Sequence, residues 1–141
     1  MHKLIIMQGL PGSGKSTWAK NNCPTAAIVS TDDFFMVDGR YVFDPNKISQ
    51  AHNACFCRFL ELVEGYPNIV IDNTNMTLWE MAPYIRVGEA KGYKVEVVRV
   101  NADPKLCASR NVHGVSIFTI WRMSDRMEDP PGFWNCRFRE V

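Results

Sequence analysis

No Cys-x-x-Cys pair occurs in this sequence. Its five cysteines, Cys23, Cys55, Cys57, Cys107 and Cys136, are an odd number scattered along the chain. That pattern excludes zinc-ribbon spacing and a disulfide framework, and fits a reducing, intracellular setting such as the cytoplasm. No apolar run approaches the ~20 residues of a membrane span, and no signal-peptide pattern precedes the first apolar stretch, so no membrane association is expected. Charge of one sign is lacking too. Sixteen Lys+Arg against 15 Asp+Glu leave a net charge of +1, which excludes a strong whole-chain pull on nucleic acid. Internal repeats, low-complexity tracts and linker-like composition are absent. The 141 residues, 46% hydrophobic and 22% charged, are expected to form one globular domain, 1–141.

What is present is a phosphate-binding loop. Gly9-Leu10-Pro11-Gly12-Ser13-Gly14-Lys15-Ser16, followed by Thr17, fills every position of G-x-x-x-x-G-K-[ST]. The apolar run Leu4-Ile5-Ile6-Met7 precedes it and Thr17-Trp18-Ala19-Lys20 continues it as a helix start, which is the strand–loop–helix context the motif requires. Glycines let the backbone curl so that successive N–H groups form an anion nest, and the helix N-terminus adds its positive end. Lys15 can reach the β- and γ-phosphates, and the Ser16 hydroxyl can ligate Mg²⁺. ATP and Mg²⁺ are the expected ligands.

The rest of the chain alternates strands and helices. Lys3–Gln8, Ala26–Ser30, Asn68–Ile71 and Lys94–Val100 read as buried strands, and Lys15–Asn22, Thr77–Ala90, Pro104–Asn111 and Ser116–Arg126 as helices. Asp38-Gly39 reads as a turn. Asp44-Pro45 caps a long helix ended by Gly65, on which Ile48, Ala51, His52, Cys55, Phe56, Phe59, Leu60 and Val63 make the apolar face. His52 is read there as a core histidine, and Trp79 and Trp121 as packing residues. The tail reads as irregular or as an edge strand. The order predicts an α/β P-loop NTPase: three α/β/α layers, a mostly parallel central sheet and a C-terminal helical lid. Ligands of such sheets sit at the carboxyl ends of the strands, which directs Gly9–Ser16, Asp32-Asp33 and Asp72-Asn73 to one site.

Further blocks add specificity. Ser30-Thr31-Asp32-Asp33-Phe34-Phe35, Asp38-Gly39-Arg40-Tyr41-Val42-Phe43-Asp44, Ala51-His52, Ile71-Asp72-Asn73-Thr74-Asn75 and Arg110-Asn111-Val112-His113-Gly114-Val115 follow the loop in order. Together with the Met123–Arg126 helix end, this set resembles the polynucleotide kinase-like branch of P-loop kinases, closest to small ATP-binding domains of the AAA_33 type. The resemblance spans residues 3–126. It implies that Asp32 is the general base for an acceptor hydroxyl and that Lys15 and Ser16 bind phosphate and Mg²⁺. It makes Arg110 a lid arginine that grips the triphosphate, with Arg122 and Arg126 as further lid arginines or surface residues. Two positions depart from the pattern. Asn73 stands where an aspartate is usual, with Asp72 before it, and Phe35 replaces an arginine that holds the acceptor's phosphate; Arg40 is a candidate substitute.

The expected activity is therefore transfer of the ATP γ-phosphate to a hydroxyl, with the 5′ end of single-stranded DNA or RNA as the favoured acceptor. A small-molecule or nucleotide kinase is one alternative, and an ATPase-like interaction module another. From Lys105 onward six Lys/Arg face four acids, too small an excess to mark a nucleic-acid track.

Overall fold

A computed structural model describes residues 2–141. Five parallel strands form the sheet: β1 (Lys3–Gln8), β2 (Ala27–Val29), β5 (Asn68–Asp72), β6 (Lys94–Arg99) and β7 (Arg137–Glu140), in the order β2-β5-β1-β6-β7. The helices are α1 (Lys15–Asn22), α2 (Ile48–Leu62), α3 (Leu78–Ala90), α4 (Pro104–Arg110) and α5 (Ile117–Arg126). Between β2 and α2, strands β3 (Met36–Val37) and β4 (Arg40–Tyr41) make a small antiparallel hairpin.

The alternation of β1 divides the core. Leu4 and Ile6 face one layer, with Phe59 of α2 and Met81 and Ile85 of α3; Ile5 and Met7 face the other, with Ala19 of α1. A strand buried on both faces needs a continuous apolar run, and Leu4–Met7 supplies one. A third cluster, Leu10, Met76, Cys107 and Ile120, seats α4 and α5 over the carboxyl end of the sheet. The three-layer fold with a helical cap is thus formed, and every strand pair of the main sheet is parallel.

Local sequence explains most boundaries. Asp44 caps a short 3-10 turn, Pro45–Lys47, by accepting from the Asn46 N–H at 3.0 Å, so α2 begins one turn later than the Asp-Pro signal indicates. Thr77 and Glu80 form a capping box at α3, and Ser116 caps α5. Two expectations change. Ile48, His52 and Leu60 of α2 are exposed rather than core, because the sheet covers only the stripe through Ala51, Cys55, Phe59 and Leu62. Trp79 is 88% exposed and Trp121 is also at the surface, so neither packs into the core. Of the cysteines, Cys57 is exposed and Cys55 and Cys107 are buried. Among the described residues no helix is long and apolar enough to cross a membrane.

Candidate active site

The loop between β1 and α1 is held from below and from the side. Its Gly9 N–H donates to the Thr74 carbonyl at 3.1 Å, tying it to the segment after β5. Gly12 and Gly14 have φ of 81° and 99°, the left-handed region that favours glycine. At Gly12 a side chain is excluded twice over, since a Cβ there would meet the Cys107 carbonyl oxygen at 2.4 Å. The loop backbone therefore lies directly against α4. Leu10 and Ser13 are buried under the loop, at 3% and 6% exposure.

Lys15 donates from Nζ to the Leu10 carbonyl at 3.0 Å. Burial lowers its pKa below the ordinary 10.5, partly offset by the carboxylates of Asp72 and Asp32. A desolvated ammonium facing two carboxylates is a strong anchor for anionic phosphate. Beside it the Ser16 hydroxyl donates to Asp72 Oδ2 at 2.6 Å. One hydroxyl and one carboxylate oxygen in contact are hard donors of the kind Mg²⁺ takes when phosphates and water complete its shell, so the residues fit that ion. The strand-end rule directs Asp72 to the same site as Ser16, 56 positions away in the sequence, and the direct contact between them is what the structure adds.

Asp32 lies on a 3-10 turn, Thr31–Phe35, that follows β2. Ser30 caps this turn through the Asp32 N–H at 3.1 Å, and Asp33 returns a carboxylate to the Ser30 N–H at 3.3 Å. Asp33 is thereby a capping residue, and it does not line the cavity. Asn73, the departure after β5, accepts from the Thr31 N–H at 2.8 Å and from the Thr31 hydroxyl at 3.1 Å. Its amide oxygen fastens the Asp32 turn to β5.

The Asp32 carboxylate is bracketed. Tyr41 on β4 donates its hydroxyl to Oδ1 at 3.4 Å, and His113 Nε2 lies 3.4 Å from Oδ2. The two rings are in contact, centroids 4.0 Å apart. Burial, and then the Asp32 charge, pushes the Tyr41 phenol up to about 12, so near neutral pH it is protonated and donates. His113 belongs to the loop between α4 and α5, which Asn111 closes by accepting from the Val115 N–H at 2.8 Å and donating to the Val115 carbonyl at 3.0 Å.

These groups share one cavity of about 520 Å³ at the carboxyl end of the sheet. Pro11, Gly12, Gly14, Lys15, Ser16 and Thr17 line its floor, Asp72, Asn73 and Thr74 its back, and Arg110 and His113 its lid side. Of the residues read as nucleotide-binding, Gly9, Leu10 and Ser13 lie beneath this surface and do not line it. Arg122 and Arg126 are exposed on α5 and are not brought to the cavity; neither is Arg40. Residues that sequence reasoning did not place here also line it, among them Tyr41 and Phe43, from the block Asp-Gly-Arg-Tyr-Val-Phe-Asp, and Ile48 and His52 of α2.

Similarity to known proteins agrees with this geometry. A family model, AAA_33, described as an AAA domain, matches residues 4–113. Human NEDD4-binding protein 2 is 39% identical over 133 residues, 89% of this chain. The chain spans only 8% of that relative's length. Among solved structures, a chain of the Pnkp1/Rnl/Hen1 RNA repair complex superposes with a TM-score of 0.71 at 21% identity, covering 89% of this chain and 44% of that one. A gluconokinase from Sinorhizobium meliloti superposes with a TM-score of 0.59 at 14% identity, covering 99% and 82%. The parallel sheet and its phosphate loop define a P-loop nucleotide-binding domain, a fold shared with those structures. Within that class the chain belongs to the AAA_33 family, since the family model matches most of its length.

Proposed function

We propose that this domain transfers the γ-phosphoryl group of ATP to a hydroxyl, and that the acceptor is the 5′-hydroxyl of a DNA or RNA strand. The observation that carries the reading is Asp32, a carboxylate fixed by Tyr41 and His113 in the same cavity as Lys15, Ser16 and Arg110. A protein that only sensed nucleotide would not need a carboxylate fixed there. In the reaction Asp32 accepts the proton of the acceptor hydroxyl as the new P–O bond forms, while the bond from the γ-phosphorus to the bridging oxygen breaks and ADP leaves. Lys15 neutralises the phosphate oxygens, and Arg110 supplies charge from the lid side as negative charge redistributes. Ser16 and Asp72 would hold Mg²⁺, which screens the β- and γ-phosphates when bound.

The nucleic-acid acceptor is supported by the order of the sequence blocks and by likeness to a chain of an RNA repair complex. A small-molecule hydroxyl is the second reading. Phe35 favours it, being buried at 4% exposure where the polynucleotide kinase pattern carries a phosphate-binding arginine. Transfer of labelled γ-phosphate from ATP to 5′-hydroxyl oligonucleotides, with Lys15→Ala and Asp32→Asn as controls, separates them. Product that requires both side chains supports the proposal. ATP binding without oligonucleotide product, but with product on a small polyol, selects the second reading.

A further inference from the structure

The cavity has two chemically different walls. The first, built by the phosphate loop and the end of α4, carries the only lysine and arginine that line the cavity among the described residues, Lys15 and Arg110. The second is built by the segment from the Asp32 turn to the first turn of α2. Apart from Thr31 and Asp32 it consists of Phe35, Tyr41, Phe43, Ile48 and His52. None of these is a lysine or arginine.

Their packing makes this second wall a surface for flat rings. Phe35 is the buried anchor, edge-on to Tyr41 at 6.0 Å and tilted against Phe43 at 5.0 Å. Tyr41 and Phe43 are parallel to within 6°, with centroids 6.3 Å apart, so a planar group stacked on one ring is also parallel to the other. The Val42 N–H bonded to the Phe35 carbonyl at 2.8 Å locks the segment between the two rings to the turn that carries Asp32. Phe43 and Ile48 nevertheless remain 47% and 45% exposed. Apolar and aromatic side chains of this size at the mouth of a cavity are surface that a bound ligand can cover.

We infer that this wall is the acceptor subsite and that it recognises the terminal nucleoside by stacking its base on Tyr41 and Phe43, without gripping the adjoining 3′-phosphate. The inference rests on the kinase reading above and names what that site accepts. Tyr41 links the two tasks: its ring belongs to the wall and its hydroxyl holds Asp32, so a base seated on the wall sets the distance between the sugar hydroxyl and the carboxylate. Base stacking on aromatic side chains tolerates any base, which predicts little sequence preference. Recognition without a cation also predicts weak dependence on salt.

The test uses this chain with a non-hydrolysable ATP analogue and three probes: a 5′-hydroxyl trinucleotide, the same trinucleotide with an abasic 5′-terminal residue, and the terminal nucleoside alone. Binding is measured at equilibrium, and transfer in parallel with ATP. Removing the base is expected to weaken acceptor binding about tenfold, whereas removing the 3′-phosphate changes it less than about twofold once statistical effects of probe length are matched. Phe43→Ala is expected to weaken the normal trinucleotide as much as the abasic change does, and to have no further effect on the abasic probe. Since Phe43 is half-exposed, the variant keeps the wild-type melting temperature, and this is checked. Equal affinity for normal and abasic probes, or a loss that follows the 3′-phosphate instead, overturns the inference. No binding of any probe also overturns it. Base-dependent binding without transfer keeps the subsite and rejects the hydroxyl-transfer reading, so the two failures are distinct.

Discussion

At the scale of single residues, the site depends on one carboxylate and one ammonium. Asp32→Asn keeps the hydrogen-bonding shape but removes the proton acceptor, so transfer is expected to fall by about 10²- to 10⁴-fold with ATP affinity retained; single-turnover kinetics and nucleotide titration check both halves. Lys15→Met makes the opposite trade. Its ammonium is desolvated in the fold, which lowers its pKa below the unfolded 10.5. Below the folded pKa both states are protonated and the fold bears the full penalty. As pH rises through the folded pKa toward 10.5 the unfolded chain holds more protons, and wild-type stability increases. Without nucleotide the methionine variant is therefore expected to be more stable than wild type near pH 7, with a gap that narrows toward pH 10.5, and to lose ATP binding. Denaturant melts across that range would show it. The phosphate loop was legible in the sequence because its residues are contiguous and local geometry sets their roles. Asp72 was legible only as a strand-end residue of the same site, and Tyr41 and His113 about Asp32 were not legible, because those neighbours come from different elements and share no spacing.

At the scale of elements, two turns set how the walls of the cavity stand. Gly12 packs its backbone against Cys107, and Gly12→Ala would bring a Cβ to 2.4 Å from that carbonyl at a φ of 81°. Loop and α4 must then separate. A loss of at least about 2 kcal/mol together with weaker ATP binding is expected, measured by thermal melts with and without nucleotide. The β3–β4 hairpin turns at Asp38 and Gly39, both with positive φ, 49° and 79°, as a two-residue hairpin loop demands. Gly39→Val puts a β-branched side chain where it is strained. Because this hairpin carries Tyr41 and Phe43 follows it, the acceptor KM is expected to rise about tenfold while the ATP KM stays within about twofold of wild type; steady-state kinetics decide. Helices with caps and strands with long apolar runs could be read from the sequence. The hairpin strands could not, since two residues have no period. The edge strand β7 was legible only as one of two readings of the tail, since Phe138 alone is apolar among Arg137, Arg139 and Glu140.

At the scale of the whole molecule, one side chain closes the structure. Arg99 at the end of β6 donates to Gln8 Oε1 at 2.7 Å, to the Glu128 carbonyl at 3.2 Å and to Asp129 at 2.6 Å, and lies 5.0 Å from the Phe138 ring. Asp129 and Glu140 are more than half exposed, so their ion pairs contribute little. Gln8 is fully buried, and Arg99→Met strips its oxygen of that donor. A loss of about 2 kcal/mol, with the chain after α5 detached first, is expected by denaturant titration and hydrogen exchange. The sheet order that makes this contact possible was not legible, because it depends on which strand wins the centre. That strand is β1, paired with Asn68–Asp72 on one side and Lys94–Arg99 on the other. Time follows from this placement. At a synthesis rate of roughly 5–20 residues per second, about 65 residues must follow β1 before its β5 partner exists. Leu4–Met7 therefore waits unpaired for roughly 3–13 seconds on every ribosome, a window in which a holdase can act and a neighbouring nascent chain can interfere.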